Sequence, residues 1–228
     1  MMPNRKQEFL NAVKTGTIAT VEALLREDPA LANTVDDSGV SVLLLAQYSN
    51  QCDVVTRLLM NKSELDVFEA AALGLTERLS PLLYSNANLL TAWSADGFAP
   101  LHLAAHFGHV AAVRLLLEHG APIDPKSRNF LSVTPLQSAT AGLRLPVVEL
   151  LLKHGANVNE RQSGNWTALH SAAQHGDVAI VMELLRHGAN RSALNAEGKD
   201  AARIAREAGH DELAAMLEGH RLIEEDGK

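Results

Sequence analysis

Apolar residues along this chain recur in short runs with the three-and-four spacing of a helix rather than the alternation of a strand. Val113, Leu116 and Leu117 form one set, Val148, Leu151 and Leu152 a second, and Val181, Leu184 and Leu185 a third. Each set predicts a helix with a single face to bury. Gly120, Gly155 and Gly188 follow these helices, where a left-handed backbone ends a helix. Ahead of each lies a shorter helical segment of about eight residues, too short to persist alone in water. Stacking against neighbours must therefore supply its stability.

The same unit repeats. Residues 99–121 read APLHLAAHFGHVAAVRLLLEHGA, residues 134–156 read TPLQSATAGLRLPVVELLLKHGA, and residues 167–189 read TALHSAAQHGDVAIVMELLRHGA. The first and third copies are offset by 68 residues, two units of 34. Thr134 and Thr167 stand where a hydroxyl caps a helix, Pro100 and Pro135 at the first helical position, and Gly108 and Gly176 where the short helix stops. In these residues the chain resembles the ankyrin repeat family, whose signature is TPLHxAA followed by a glycine and a leucine-rich helix. The resemblance implies an all-α fold, an ankyrin-repeat solenoid of stacked helix-turn-helix units with hairpin-like finger loops between them.

Fainter copies flank the three clear ones. Ser41 to Ala46 keeps the hydroxyl cap, with Val54, Val55, Leu58 and Leu59 in its second helix. Phe9, Leu10, Ala12 and Val13, then Val21, Leu24 and Leu25, read as one cap of the array. Asp200 to Ala205 with Leu213, Met216 and Leu217 reads as the other, its outer side made polar by Arg203, Arg206, Glu207, Asp211, Glu212 and Glu218. The residues after each first helix are Gly16, Asn50, Gly74, Gly108, Leu143, Gly176 and Gly209, spaced 34, 24, 34, 35, 33 and 33. The short interval belongs to the unit containing Val67, Phe68, Leu79, Leu82 and Leu83, which has both helices but no room for a finger before it. The row of fingers is expected to have a gap there. The reading is thus one domain over residues 1–218 with seven units, at about 5–35, 36–63, 64–92, 94–126, 129–161, 162–194 and 195–218. Residues 219–228 are expected to be a flexible charged tail.

Composition narrows the function. The 20 Lys and Arg are scattered in a chain of net charge −7, which disfavours nucleic acid, whose phosphates need a basic patch. No window approaches the roughly 20 apolar residues of a membrane span, and the first residues form no secretory signal. The single cysteine, Cys52, excludes an internal disulfide and suits a reducing compartment, so the expected location is cytoplasmic.

The resemblance implies a protein partner bound on the concave side, through finger tips and the exposed positions of first helices. Six of the nine aromatic residues, Tyr48, Trp93, Phe98, Phe107, Phe130 and Trp166, fall at such positions. Interface hot spots are enriched in Trp and Tyr, so these six, with His106, Gln174 and His175, form the candidate partner-binding set. At Phe98 and Trp166 a second reading stays open, in which they wedge neighbouring hairpins together. Phe9, Phe68 and Tyr84 are expected to pack within helices. Phe130 sits in a slightly lengthened loop between Lys126 and Ser132. Self-association of the same face in a symmetric dimer is the alternative.

Catalysis and cofactors find little support. His102, His106 and His109 are closely spaced, but the repeat accounts for them: the resemblance implies that His102 and His170 bond hairpin backbone. A closed zinc site wants four ligands, and no cysteine or aspartate joins the three. There is no GxSxG elbow and no phosphate-binding glycine loop, and Glu224 to Asp226 read as a solvated charge run. No cofactor, no metal and no enzymatic activity are expected.

Overall fold

A computed structural model describes residues 5–219; the remainder of the expected charged tail, 220–228, lies outside the described residues. The described chain is helical and pairs its helices into seven stacked units. The pairs are α1 (Arg5–Thr15) with α2 (Ile18–Glu27), α3 (Val42–Tyr48) with α4 (Cys52–Met60), and α5 (Val67–Ala72) with α6 (Thr76–Ser85). They continue with α7 (Pro100–Phe107) and α8 (Val110–Glu118), α9 (Pro135–Ala141) and α10 (Leu145–Lys153), α11 (Ala168–His175) and α12 (Val178–Arg186), and α13 (Ala201–Glu207) and α14 (Asp211–Glu218). Successive first helices lie closer to one another than successive second helices do, so the stack curves with the first-helix row on its concave side.

Small residues make that closeness possible. Ala70, Ala71, Ala104, Ala105, Ala139, Ala172 and Ala173 are all fully buried between neighbouring first helices, while Leu and Val from the second helices fill the layer behind them. Burying one such Leu or Val side chain contributes roughly 1.5–3 kcal/mol, which offsets the cost of ordering helices of six to eleven residues.

Fingers join the units and are built on one plan. In four of the five fingers a polar side chain at the start of the loop folds back onto later amides: Asp36 accepts the Val40 N–H at 3.1 Å, Ser94 the Phe98 N–H at 3.0 Å, Ser127 the Val133 N–H at 2.9 Å and Asn195 the Lys199 N–H at 2.9 Å. The last four fingers are then zipped by backbone bonds, from Arg128 N–H to Gly97 O at 2.8 Å, Ser163 N–H to Leu131 O at 3.0 Å and Ala196 N–H to Gly164 O at 2.7 Å.

In the fourth, fifth and sixth units the third residue of the first helix ties the unit to the following finger. His102 Nδ1 accepts the Ala99 N–H at 3.2 Å, leaving the proton on Nε2, which donates to Val133 O at 2.9 Å. His170 repeats this with the Thr167 N–H and Lys199 O, and Gln137 does the same with its amide, accepting from Thr134 N–H and donating to Glu160 O. Both ring nitrogens of the buried histidines are thus committed in the neutral form. Burial lowers the pKa of His102 from 6.5 to about 4, against the bonds to Val133, Pro125 and Ala99 that raise it, and burial also lowers that of His170.

The third unit departs from this plan. Only residues 61–66 separate α4 from α5, and no finger forms. Its third helical residue is Glu69, fully buried, which accepts the Asp66 N–H at 3.1 Å and pairs with Lys62 Nζ at 2.6 Å. In the unit before it the same position is Leu44, 4% exposed: with no finger ahead to bond, the polar side chain gives way to an apolar one. The core divides at the same junction. One cluster spans α1 to α4 and another α5 to α14, with partly buried Leu65 touching both.

A second departure lies after α9. Where five units place a glycine at positive φ, as at Gly108 and Gly176, and the second places Asn50, the fifth has Leu143 at φ 58°, a conformation that costs a residue with a Cβ about 1–2 kcal/mol. Leu143 is 45% exposed and buries little in return.

Three measurements check these assignments. Because the folded pKa of His102 lies below its unfolded value of 6.5, the unfolded chain binds more protons, so its contribution is complete above pH 6.5 and is lost as pH falls toward 4. His102→Gln, which copies Gln137, is expected to keep wild-type stability at pH 7.5 and to remove about 2 kcal/mol of the loss seen by pH 5 in urea titrations. Glu69→Ala leaves a buried ammonium and is expected to cost about 3 kcal/mol, whereas Lys199→Ala in the exposed ion pairs of the last unit leaves the urea midpoint nearly unchanged. Leu143→Gly is expected to raise stability by about 1 kcal/mol, measured by thermal unfolding; a drop would show that Leu143 packs better than its exposure indicates.

Candidate partner-binding face and the finger gap

The proposed site residues divide by what they touch. Tyr48, at the end of α3, and Phe107, at the end of α7, bring their rings to 5.6 Å across the short third unit, and His106 stands edge-on to Phe107 at 5.0 Å. Phe107 is partly buried against the small cluster of Val40, Leu44, Ala72 and Leu103. The Tyr48 hydroxyl donates to Asp96 Oδ2 at 2.7 Å, and burial followed by this bond pushes its pKa up. Tyr48 thereby straps the second unit to the finger of the fourth, bridging the missing finger.

Trp93 and Phe98 flank His102 at ring distances of 6.0 and 5.9 Å, and Trp166 lies 5.7 Å from His170. All three are partly buried at the roots of their fingers, against the histidines that bond the next finger. Arg128 stacks over Trp93 at 4.7 Å. Gln174 and His175 are exposed at the end of α11, with His175 Nδ1 bonded to Ser171 O at 2.8 Å. Phe130 is 85% exposed at the tip of the fifth finger, beside exposed Leu131.

One sequence expectation needs correction. Tyr84 does not pack within the helices: it is 79% exposed at the end of α6, with its ring edge against His119 at 4.8 Å. Its helical spacing falls one position past Leu83, which points inward. Phe9 is fully buried, and Phe68 is partly buried between the larger core region of the third to seventh units and the small cluster.

The closely spaced histidines do not converge. His102 bonds Val133 O, His106 Nδ1 lies 3.4 Å from Ser138 O, and His109 Nε2 lies 2.9 Å from Ala72 O, capping the end of the preceding first helix. Burial lowers the pKa of both His106 and His109. Among the described residues no group of three or more His, Cys, Asp or Glu is arranged to hold a metal ion. Nor is any helix among them long and apolar enough to cross a membrane.

The feature that sequence reasoning located only as an absence is the finger gap. Between the second and fourth fingers, over the third unit, lies a cavity of about 220 Å³, with Val40, Leu44, Phe68 and Trp93 among its apolar walls and Asp66 and Asp96 among its polar ones. The two fingers nearly meet across it, since a Cβ on Gly39 would stand 3.1 Å from Ala95 Cβ. The shortened repeat spacing signals the gap; which side chains face it depends on how the flanking fingers lean.

Comparison with known proteins agrees with this architecture. Family models described as ankyrin repeats match residues 67–162 and 143–185. The chain is 35% identical over 161 residues, 70% of its length, to the transient receptor potential cation channel subfamily A member 1 homolog of Caenorhabditis elegans. It is 40% identical over 114 residues, 49% of its length, to the B-cell lymphoma 3 protein homolog of Mus musculus. It is 30% identical over 204 residues, 82% of its length, to the probable E3 ubiquitin-protein ligase XBOS33 of Oryza sativa subsp. japonica. These matches span 13%, 25% and 39% of the relatives' own lengths. The helix pairs, the linked fingers and the matched repeats together make the chain a member of the ankyrin repeat family.

Proposed function

We propose that the chain is a non-catalytic module that binds a partner protein on its concave first-helix and finger face. Ankyrin repeats are generally protein–protein interaction modules, and the finer assignment rests on one observation: Phe130 stands 85% exposed at a finger tip that is itself fixed by backbone bonds to both neighbouring fingers. A large apolar ring held rigidly in water contributes nothing to folding and gains its burial energy only against a partner. Tyr48, Trp93, Phe98, His106, Phe107, Trp166, Gln174 and His175 extend the same face along the first-helix row. Trp93, Phe98 and Trp166 serve it mainly by holding finger roots, whereas Phe130, Gln174 and His175 are free to touch a partner. The single exposed cysteine and the absence of any membrane-length apolar helix among the described residues support a cytoplasmic setting.

The test separates surface from scaffold. The triple variant Phe130→Ala, Gln174→Ala, His175→Ala is expected to melt with the wild type and to lose at least tenfold in partner capture from a lysate of the source cells, as truncating a hot spot does. A control carrying Tyr84→Ala and Met60→Ala, on second helices, is expected to capture normally. Equal capture by all three proteins would overturn the concave assignment. A wild-type dimer in light scattering that the triple variant loses would favour self-association instead.

A further inference from the structure

The cavity over the third unit combines apolar walls with two aspartates. From the fourth unit on, backbone bonds join each finger to the next, and His102, Gln137 and His170 each reach into the following loop. Here no finger intervenes, and Leu44 and Phe68 are left as an apolar floor between two fingers. At about 220 Å³ the space is smaller than the roughly 300–1,000 Å³ that encloses a drug-sized ligand, so it fits one long side chain rather than a free metabolite.

The rim is acidic. Asp66 is exposed at the cavity wall, with one carboxylate oxygen capping α5 through the Glu69 N–H at 2.8 Å. Asp96 also lines the cavity, held by Tyr48 and by Ser94 Oγ at 2.5 Å. The nearby cations are already engaged: Lys62 is nearly buried in its pair with Glu69, and Arg128 lies on Trp93. Burial raises the pKa of Asp66 and the Glu69 charge adds to this, against the Glu69 and Phe68 N–H bonds and the Lys62 charge, which lower it.

We propose that the finger gap is a pocket for one lysine or arginine side chain of a partner protein, its aliphatic stem on Leu44, Phe68 and Trp93 and its charge at Asp66 and Asp96. A side chain of this kind has an apolar stem and a charged tip, matching an apolar floor beneath an acidic rim. This deepens the reading of the chain as a protein-binding module by specifying what the partner presents at one point, and it rests on that reading.

The pocket can be tested without knowing the partner. The ¹⁵N-labelled chain is titrated with acetylated, amidated tripeptides Ala-Lys-Ala and Ala-Arg-Ala, and with the neutral isostere carrying norleucine at the centre. Saturable amide shifts at Gly39, Asp66, Phe68 and Ala95 with the basic peptides are expected, at least fivefold tighter than with norleucine. Asp66→Asn, which keeps a helix-capping side chain, is expected to abolish that preference without changing the melting temperature. Norleucine binding as well as lysine, or the basic peptides shifting amides elsewhere while the gap stays silent, would overturn the proposal. The result is independent of the capture experiment. Capture through Phe130 with a silent gap would sink the pocket alone, whereas a lysine-selective gap with capture unaffected by the triple variant would sink the concave assignment alone.

Discussion

Every other feature of this molecule depends on the inability of one unit to bury its own apolar face. A first helix of six to eleven residues has too few backbone bonds to offset its ordering entropy, and a pair of such helices still leaves one side bare. Only the next unit can cover it, so stability is a property of neighbours and the chain becomes a row of near-identical interfaces. Alanines between first helices set the spacing, and the leucines and valines behind them set the depth of the core. On the seventh unit Arg206 and Glu218 form an exposed two-pronged pair at 2.8 Å.

Polar side chains carry the order from helix to finger. The same helical position that caps its own helix in neutral His102, Gln137 and His170 also donates to the next finger, so a single side chain couples local capping to long-range alignment. This coupling explains the third unit. Removing its finger removes the acceptor that the preceding unit would need, and Leu44 occupies the coupling position there. Glu69, one unit later, turns back to Lys62 instead of forward. The array stays continuous because Tyr48 spans the vacancy to Asp96 and because the small Val40, Leu44, Ala72 and Leu103 cluster fills the space beneath. An irregularity in the repeat is thus absorbed by a change of chemistry at four or five positions, and the cavity is what remains.

The fold was legible in the sequence to an unusual depth because a repeat states its physics several times. The helix pairs, the stop positions and the missing finger all follow from spacing, and even the exceptions at Asn50 and Leu143 keep the positive φ that their register demands. The site was less legible. Trp93, Phe98 and Trp166 share a sequence position with exposed contacts in principle, but packing against His102 and His170 half-buries them. Tyr84 sits one residue beyond an inward leucine, and a helix turns about 100° per residue, enough to move a ring from core to solvent.

By itself the sequence determined what is periodic: the class of fold, the number of helix pairs, the residues that stop each helix, and the place where a finger is lacking. Those properties are set by short-range sterics and by burial patterns that recur along the chain. The tertiary structure alone decided what is not periodic, namely that Tyr48 reaches Asp96 48 residues away, that Glu69 and Lys62 neutralise each other inside the stack, and that Asp66, Leu44 and Phe68 share one cavity. These depend on how two fingers lean toward each other across a missing third. That lean is the sum of many contacts between units rather than a property of any one of them.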